Sequence, residues 1–395
     1  MKKIICFALI LILALVSSAF SALATEKSEI YPFSYAFEEF WYTDTVALND
    51  VLPCKAAILI EASTGRVLFA QNENAHLPIA SVTKIMSTLL VIEAIDSGKI
   101  KLDDKVTVGA DAAKMGGSQV YLEVGEQMTV HEMLKALVVV SANDATVAMA
   151  EHICGSEASF VAAMNERAKS LGMTDTHFEN CHGLNDDGHY SSARDVSLMT
   201  RELLKHEKIF DYTTIWMDTI RDGKFGLANT NKLIRFYSGA NGMKTGFTDV
   251  AKYCLSGTAK RNGMQLVSVI IGAETGEKRF EAAKKLLDFG FANYAITTPQ
   301  KLALEPITVM GGTENTAAIE YIPKSVLSEK GSGTVTQHAR IDEFVDAPIK
   351  KGDIIGEIEY FIDDKKVDTS PVFVSEDIPE MTFFRLWKKI LKKII

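Results

Sequence analysis

Ser81-Val82-Thr83-Lys84-Ile85-Met86-Ser87-Thr88-Leu89-Leu90-Val91-Ile92 is the stretch of this chain from which the rest can be read. Pro78 stops the segment before it, Gly98 closes it, and Ile85, Leu89, Leu90, Ile92 and Ile95 fall nearly all round a helical wheel. That pattern predicts a helix from Ser81 to about Ser97, buried inside a domain. Its first turn carries Ser81 and Lys84, three residues apart and therefore on one face. A serine hydroxyl is a weak nucleophile until a base takes its proton, and a partly desolvated lysine amine can be that base. The helix N-terminus adds positive potential beside the reacting centre. Alone, the pattern S-x-x-K carries little weight, because a chain of this length holds about one or two by chance.

Moving outward, residues 56–71 hold two apolar runs about Ser63-Thr64-Gly65, a predicted β-hairpin. Thr129-Val130-His131-Glu132 has the form of a capping box and starts a helix through Leu134, Leu137 and Val138 towards Ser141. Further helices are expected near 160–171, 193–206 and 277–294. A strand is expected to include Lys244, and a hairpin to join 253–260 to 265–271 across Asn262-Gly263. Strands at both ends of a helical middle predict an α+β domain: a mixed sheet, its first and last strands adjacent, covered by helices. From about Thr297-Thr298-Pro299 the pattern changes to short strand-like runs at 302–309, 354–362 and 366–374, which read as a small all-β domain.

Two further tripeptides could carry chemistry. Ser141-Ala142-Asn143 follows the apolar helical run and, by itself, suits a helix break with local side-chain bonds. Lys244-Thr245-Gly246 is rarer, with roughly a tenth of a match expected by chance. On one strand, a lysine, a hydroxyl and a glycine suit a substrate carboxylate lying along the backbone. S-x-x-K, S-x-N and K-T-G each occur once, in that order. That ordered set is the signature of class A β-lactamases and penicillin-binding proteins, with Ala142 at the variable middle position.

Phe178-Glu179-Asn180-Cys181-His182-Gly183-Leu184 and His189-Tyr190-Ser191-Ser192-Ala193-Arg194-Asp195 narrow the match. With Asn229-Thr230-Asn231-Lys232-Leu233 and Gly242-Met243-Lys244-Thr245-Gly246-Phe247-Thr248, the chain resembles the low-molecular-mass D-alanyl-D-alanine carboxypeptidases. The resemblance covers about residues 50–295 closely and the remainder more loosely. It implies a serine β-lactamase/transpeptidase-like catalytic domain, and Ser81, Lys84, Ser141, Asn143 and Lys244 as catalytic residues. Thr245, Gly246, Phe247, Thr248 and, more loosely aligned, Arg279 are implied to bind substrate. The implied reaction removes the terminal D-Ala from peptidoglycan stem pentapeptides through an acyl-enzyme that β-lactam antibiotics mimic. A DD-endopeptidase, or a penicillin-binding sensor module without turnover, is the alternative for the same residues. No Glu-x-x-Leu-Asn segment lies between Asn143 and Lys244, which disfavours a β-lactamase.

Composition and the chain ends bound where such an enzyme works. Lys2, Lys3, an apolar run from Ile4 to Val16 and Ala22-Leu23-Ala24 read as a secretory signal peptide over residues 1–24. The apolar run is short of the roughly 20 residues a spanning helix needs. The expected protein is exported and attached to the outer face of the cytoplasmic membrane. Residues 25–50 read as a linker or poorly ordered arm, 51–296 as the catalytic domain and 297–376 as the β-rich domain. Over 380–395, Phe383, Phe384, Leu386, Trp387, Ile390, Leu391, Ile394 and Ile395 fall in one half of a wheel, and Arg385, Lys388, Lys389, Lys392 and Lys393 in the other. That predicts an amphipathic helix lying on a membrane surface. The formal charge of −9, with no basic stripe in the body of the chain, argues against nucleic acid. Cys54, Cys154, Cys181 and Cys254 are scattered without a C-x-x-C pair, and no metal or organic cofactor is expected.

Overall fold

The computed structural model describes residues 51–394, with side chains to residue 391. The expected signal peptide and the arm at 25–50 lie outside the described residues. The larger sheet runs in the order Val67–Gln71, Ala56–Glu61, Met264–Ala273, Lys252–Arg261, Ala240–Thr248. The first and last of these strands in the chain that belong to its centre, Ala56–Glu61 and Met264–Ala273, are neighbours, as anticipated. Its four pairings are all antiparallel, which corrects the expectation of a mixed sheet. Tight turns impose two of these pairings: Ser63-Thr64-Gly65 closes one hairpin, and Asn262 and Gly263, at φ 49° and 83°, close another in the left-handed region.

The sheet is buried on both faces. Along Ala56–Glu61, Ala56, Ile58 and Ile60 enter the core shared with the helical cluster, while Ala57 and Leu59 enter a second core. That second core is filled by Ala282, Ala283, Leu286 and Leu287 of the long helix Gly276–Asn293. Period-2 alternation therefore separates two apolar faces here, not an apolar face from a wet one. The helical cluster holds Lys84–Asp96 at its centre, with Val130–Val139, Asn143–Cys154, Glu157–Ser170 and Ala193–Leu203 around it. The helix at Val130 starts with the anticipated capping box: Thr129 Oγ1 accepts from Glu132 N at 3.2 Å, and Glu132 Oε2 accepts from Thr129 N at 3.2 Å. The helix Asn143–Cys154 was not anticipated.

Beyond Thr297 the chain is all strand until Phe383. Ile319–Tyr321, Lys365–Val374, Ile354–Ile362 and Val335–Ile341 make one sheet, and Thr316–Ala317, Ile307–Met310 and Phe344–Asp346 another. They enclose their own core of Ile307, Val309, Tyr321, Ile358, Tyr360 and Val372. One ribbon crosses the junction: Tyr294–Thr297 pairs with Val326–Glu329, Leu327 is buried in the core of the preceding part, and its carbonyl accepts from Arg66 Nη1 at 3.2 Å. The last helix, Phe383–Ile394, leaves Phe383, Phe384 and Trp387 exposed. Among the described residues no helix is long and apolar enough to cross a membrane.

Candidate active site

The nucleophile segment departs from a simple helix start. Ala80–Thr83 is a 3-10 turn that runs into the α-helix Lys84–Asp96, and Ala80 sits at φ 48°. Gly183 makes this possible. It has φ 86°, and a Cβ there would stand 2.0 Å from the Ala80 carbonyl oxygen. The strand Ala240–Thr248 closes on the other side, where a Cβ on Gly246 would lie 2.7 Å from Ile79 O and 3.0 Å from Ser81 N. Two glycines thus let two backbones grip the turn that carries Ser81.

Lys84 is fully buried. Its Nζ donates to Asn143 Oδ1 and to the His182 carbonyl, each at 2.6 Å, and lies 3.0 Å from Ser81 Oγ. Both carbonyl-type oxygens can only accept. A neutral amine with two N–H bonds committed to them has its lone pair left for the Ser81 hydroxyl proton. Burial favours that neutral form and pushes the Lys84 amine down from 10.5 to about 7, against the opposing pull of Cys181 and Asp144. Asn143 is held by its Nδ2 donating to Gly116 O and its N donating to Ser118 O, both at 2.7 Å. Asp144, next in the chain, accepts from Val120 N and Leu122 N and fixes that same loop.

Ser141 stands at φ 65° between two helices, and its buried Oγ has no hydrogen-bond partner within the protein. An orphaned hydroxyl in a buried site is costly, and such groups mark places awaiting a ligand or a reaction. Lys244 is buried too, with Nζ donating to Thr245 O at 3.0 Å. Burial, then the charges of Lys84 and Arg279, hold its amine well below the usual lysine range. Thr245 Oγ1 lies 2.6 Å from Thr230 Oγ1, and Phe247 is half exposed with its ring 4.4 Å from that of Tyr253.

Ser81, Lys84 and Asn143 are thus directly bonded in one cluster. Two other expected residues have prior engagements. Thr248 Oγ1 accepts from Ala251 N at 3.0 Å and caps the turn after the strand. Arg279 is buried against Phe280 and Tyr253, and its Nη1 donates to the carbonyls of Gly246 and Cys254, both at 3.2 Å. Burial lowers its guanidinium to about 10, so it stays cationic at neutral pH. Its Nε has no partner. The segments 178–184 and 189–195, which carry the family resemblance, hold several parts of the site. His182 supplies a carbonyl, Gly183 makes the close approach, and His189 Nε2 lies 2.7 Å from Thr83 Oγ1. A backbone acceptor leaves no trace in side-chain identity. The four cysteines described are free, and the described residues contain no cluster suited to a metal ion.

A serine oxygen facing a buried amine, with a gripping strand beside it, defines the class: an acyl-transfer enzyme of the serine–lysine kind. The family described as D-alanyl-D-alanine carboxypeptidase, peptidase S11, matches residues 44–275, and the C-terminal domain of penicillin-binding protein 5 matches 304–380. D-alanyl-D-alanine carboxypeptidase DacF of Bacillus subtilis is 44% identical over 346 residues, covering 85% of this chain and 89% of the relative. DacC of Escherichia coli is 35% identical over 360 residues, covering 86% and 88%. Penicillin-binding protein 5 of Haemophilus influenzae superposes with a TM-score of 0.75 at 30% identity, covering 85% of this chain and all of that one. The chain belongs to the D-alanyl-D-alanine carboxypeptidase family, peptidase S11.

Proposed function

We propose that this protein removes the terminal D-Ala from peptidoglycan stem pentapeptides outside the cytoplasm, through an acyl-enzyme on Ser81. The observation that carries the reading is the Lys84 amine, committed to two carbonyl-type acceptors and 3.0 Å from Ser81 Oγ. Lys84 takes the hydroxyl proton as Ser81 Oγ bonds to the carbonyl carbon of the penultimate D-Ala. The oxyanion is met by the backbone N–H groups of Ser81 and Phe247, where preorganised donors contribute most. Ser141, aided by Lys244, passes a proton to the leaving amine, and free D-Ala departs. Water then attacks the ester, Ser81 regains its proton, and the shortened peptide leaves.

Asn143 holds the substrate amide. Thr245, Gly246 and Phe247 line the edge along which the peptide lies, and Thr248 and Arg279 complete the binding of its free carboxylate. A β-lactam presents the same acyl group with its leaving nitrogen tethered, so it acylates Ser81 and persists. No cofactor takes part in these steps. Residues 1–24 direct export, residues 51–296 and 297–376 are the catalytic and β-rich domains, and the helix Phe383–Ile394 rests on the outer face of the cytoplasmic membrane. Its exposed Phe383, Phe384 and Trp387 suit the acyl boundary, with its cations on anionic headgroups.

The test is release of D-Ala from an acylated peptide ending in D-Ala-D-Ala, by the parent and by Ser81→Ala. Release by the parent alone upholds the reading. Equal release by both would sink it, and labelling by penicillin without release would move the protein to the sensor class.

A further inference from the structure

Of the three groups around Lys84 Nζ, the His182 carbonyl is the one that belongs to an irregular loop, so something must hold that peptide in place. Ser87 Oγ donates to the carbonyl of Cys181, one residue earlier, at 2.5 Å. The other anchor is Glu157, in the first turn of the helix Glu157–Ser170. Its Oε1 accepts from Cys181 N at 3.1 Å and from the Cys181 thiol at 3.2 Å. The same oxygen is 3.5 Å from His182 Nε2. On the far side of that ring, Nδ1 accepts from Leu184 N at 3.2 Å, so the ring proton sits on Nε2, the nitrogen on the Glu157 side. Burial and the nearby charges of Lys84 and His189 push this imidazole down to about 3, which keeps it neutral.

We propose that Glu157 is a positioning residue of the acyl-transfer site. One carboxylate oxygen gathers the Cys181 amide, the Cys181 thiol and the His182 ring, and so fixes the His182 carbonyl against Lys84 Nζ. With that acceptor fixed, the amine cannot swing its lone pair off Ser81. Bonds to an ionised acceptor are roughly twice as strong as neutral ones, which is why a carboxylate suits the post. Glu157 acts through the loop and touches no substrate. The inference rests on Ser81 and Lys84 acting as nucleophile and base.

The experiment uses the full protein as the parent, Glu157→Ala and Glu157→Gln, with a fluorescent penicillin. Stopped-flow saturation gives the acylation rate constant separately from the dissociation constant of the preceding complex. End-point labelling counts competent sites, so a loss of folded protein is divided out. In Glu157→Ala the rate constant per competent site is expected to fall between about tenfold and 100-fold, the range a misplacement near 1 Å produces. The dissociation constant moves less than about threefold, because the β-lactam does not touch Glu157. Glu157→Gln keeps an oxygen acceptor without the charge and is expected to fall about three- to tenfold. It carries the test alone if the alanine variant does not fold. An unchanged rate constant per competent site, or a loss confined to the dissociation constant, overturns the proposal whatever happens to the melting temperature. A parent that is not labelled at Ser81 overturns the acyl-transfer reading itself, and this inference with it.

Discussion

Acylation of Ser81 is expected to rise with pH through neutrality, because the base must first lose a proton. Burial lowers the Lys84 amine from 10.5 to about 7, so the free amine is the main form above that value and the ammonium below it. At pH 5 about one site in a hundred carries the free base, and at pH 6 about one in ten. The rate of acylation is therefore expected to fall roughly tenfold per pH unit below the midpoint and to level off above about pH 8. The two buried histidines beside the site do not share this window: burial holds His182 at about 3 and His189 at about 4. Lys244 is also pushed down by burial and by Lys84, and Lys244→Met separates the two, since the limb persists there at lower amplitude. The assay is second-order labelling by a fluorescent penicillin from pH 5 to 9, with competent sites counted at each pH. A flat profile, or a rate that falls as pH rises through 7, would refute Lys84 as a base shaped by burial.

Linkage gives the same amine a second signature. The unfolded chain binds its proton more tightly than the folded one between about 7 and 10.5, so Lys84's contribution to folding stability improves as pH rises across that window. Urea midpoints are expected to show a positive slope there that flattens in Lys84→Met; an equal slope in both would count against it. Ser141→Ala removes a buried hydroxyl that has no partner, so its melting temperature is expected to hold or rise while acylation falls about 100-fold. A clear loss of stability would show that Ser141 is bonded in the free protein. Gly183→Ala places a Cβ 2.0 Å from the Ala80 carbonyl at φ 86°. The cost is expected to be about 1–3 kcal/mol, with labelling lost, and parental melting and labelling would contradict the grip on the nucleophile turn. Truncation after Glu380 is expected to abolish flotation with anionic vesicles, whereas retained binding would place the membrane contact elsewhere.

What could be read from the sequence was mostly local chemistry. The capping box at Thr129 and Glu132 involves atoms three residues apart, and the structure contains it as written. The Asn262-Gly263 turn is likewise where its φ preferences place it. Ser81 is a different case. Its 3-10 turn exists because Gly183 and Gly246, distant in sequence, press on the backbone at Ile79 and Ala80. No window around Ser81 carries that information. The helix Asn143–Cys154 starts at the short Ser141-Ala142 break with a weak apolar stripe, and it is stabilised by packing and by Asp144 bonding back to Val120 and Leu122. Arg279 was visible as an arginine beyond K-T-G, but not its commitment to the carbonyls of Gly246 and Cys254. The His182 carbonyl was invisible because backbone chemistry is the same at every position, and Glu157 because its carboxylate meets Cys181 and His182 only across separations of 24 and 25 positions in the chain.

The most direct measurement is the site of the covalent adduct. The protein is incubated with a penicillin, denatured, digested and analysed by tandem mass spectrometry. The expected result is a single penicilloyl group on the peptide containing Ser81, localised to that serine, and no adduct in Ser81→Ala. An adduct on another residue, or D-Ala release that survives Ser81→Ala, would contradict a mechanism in which Lys84 activates Ser81.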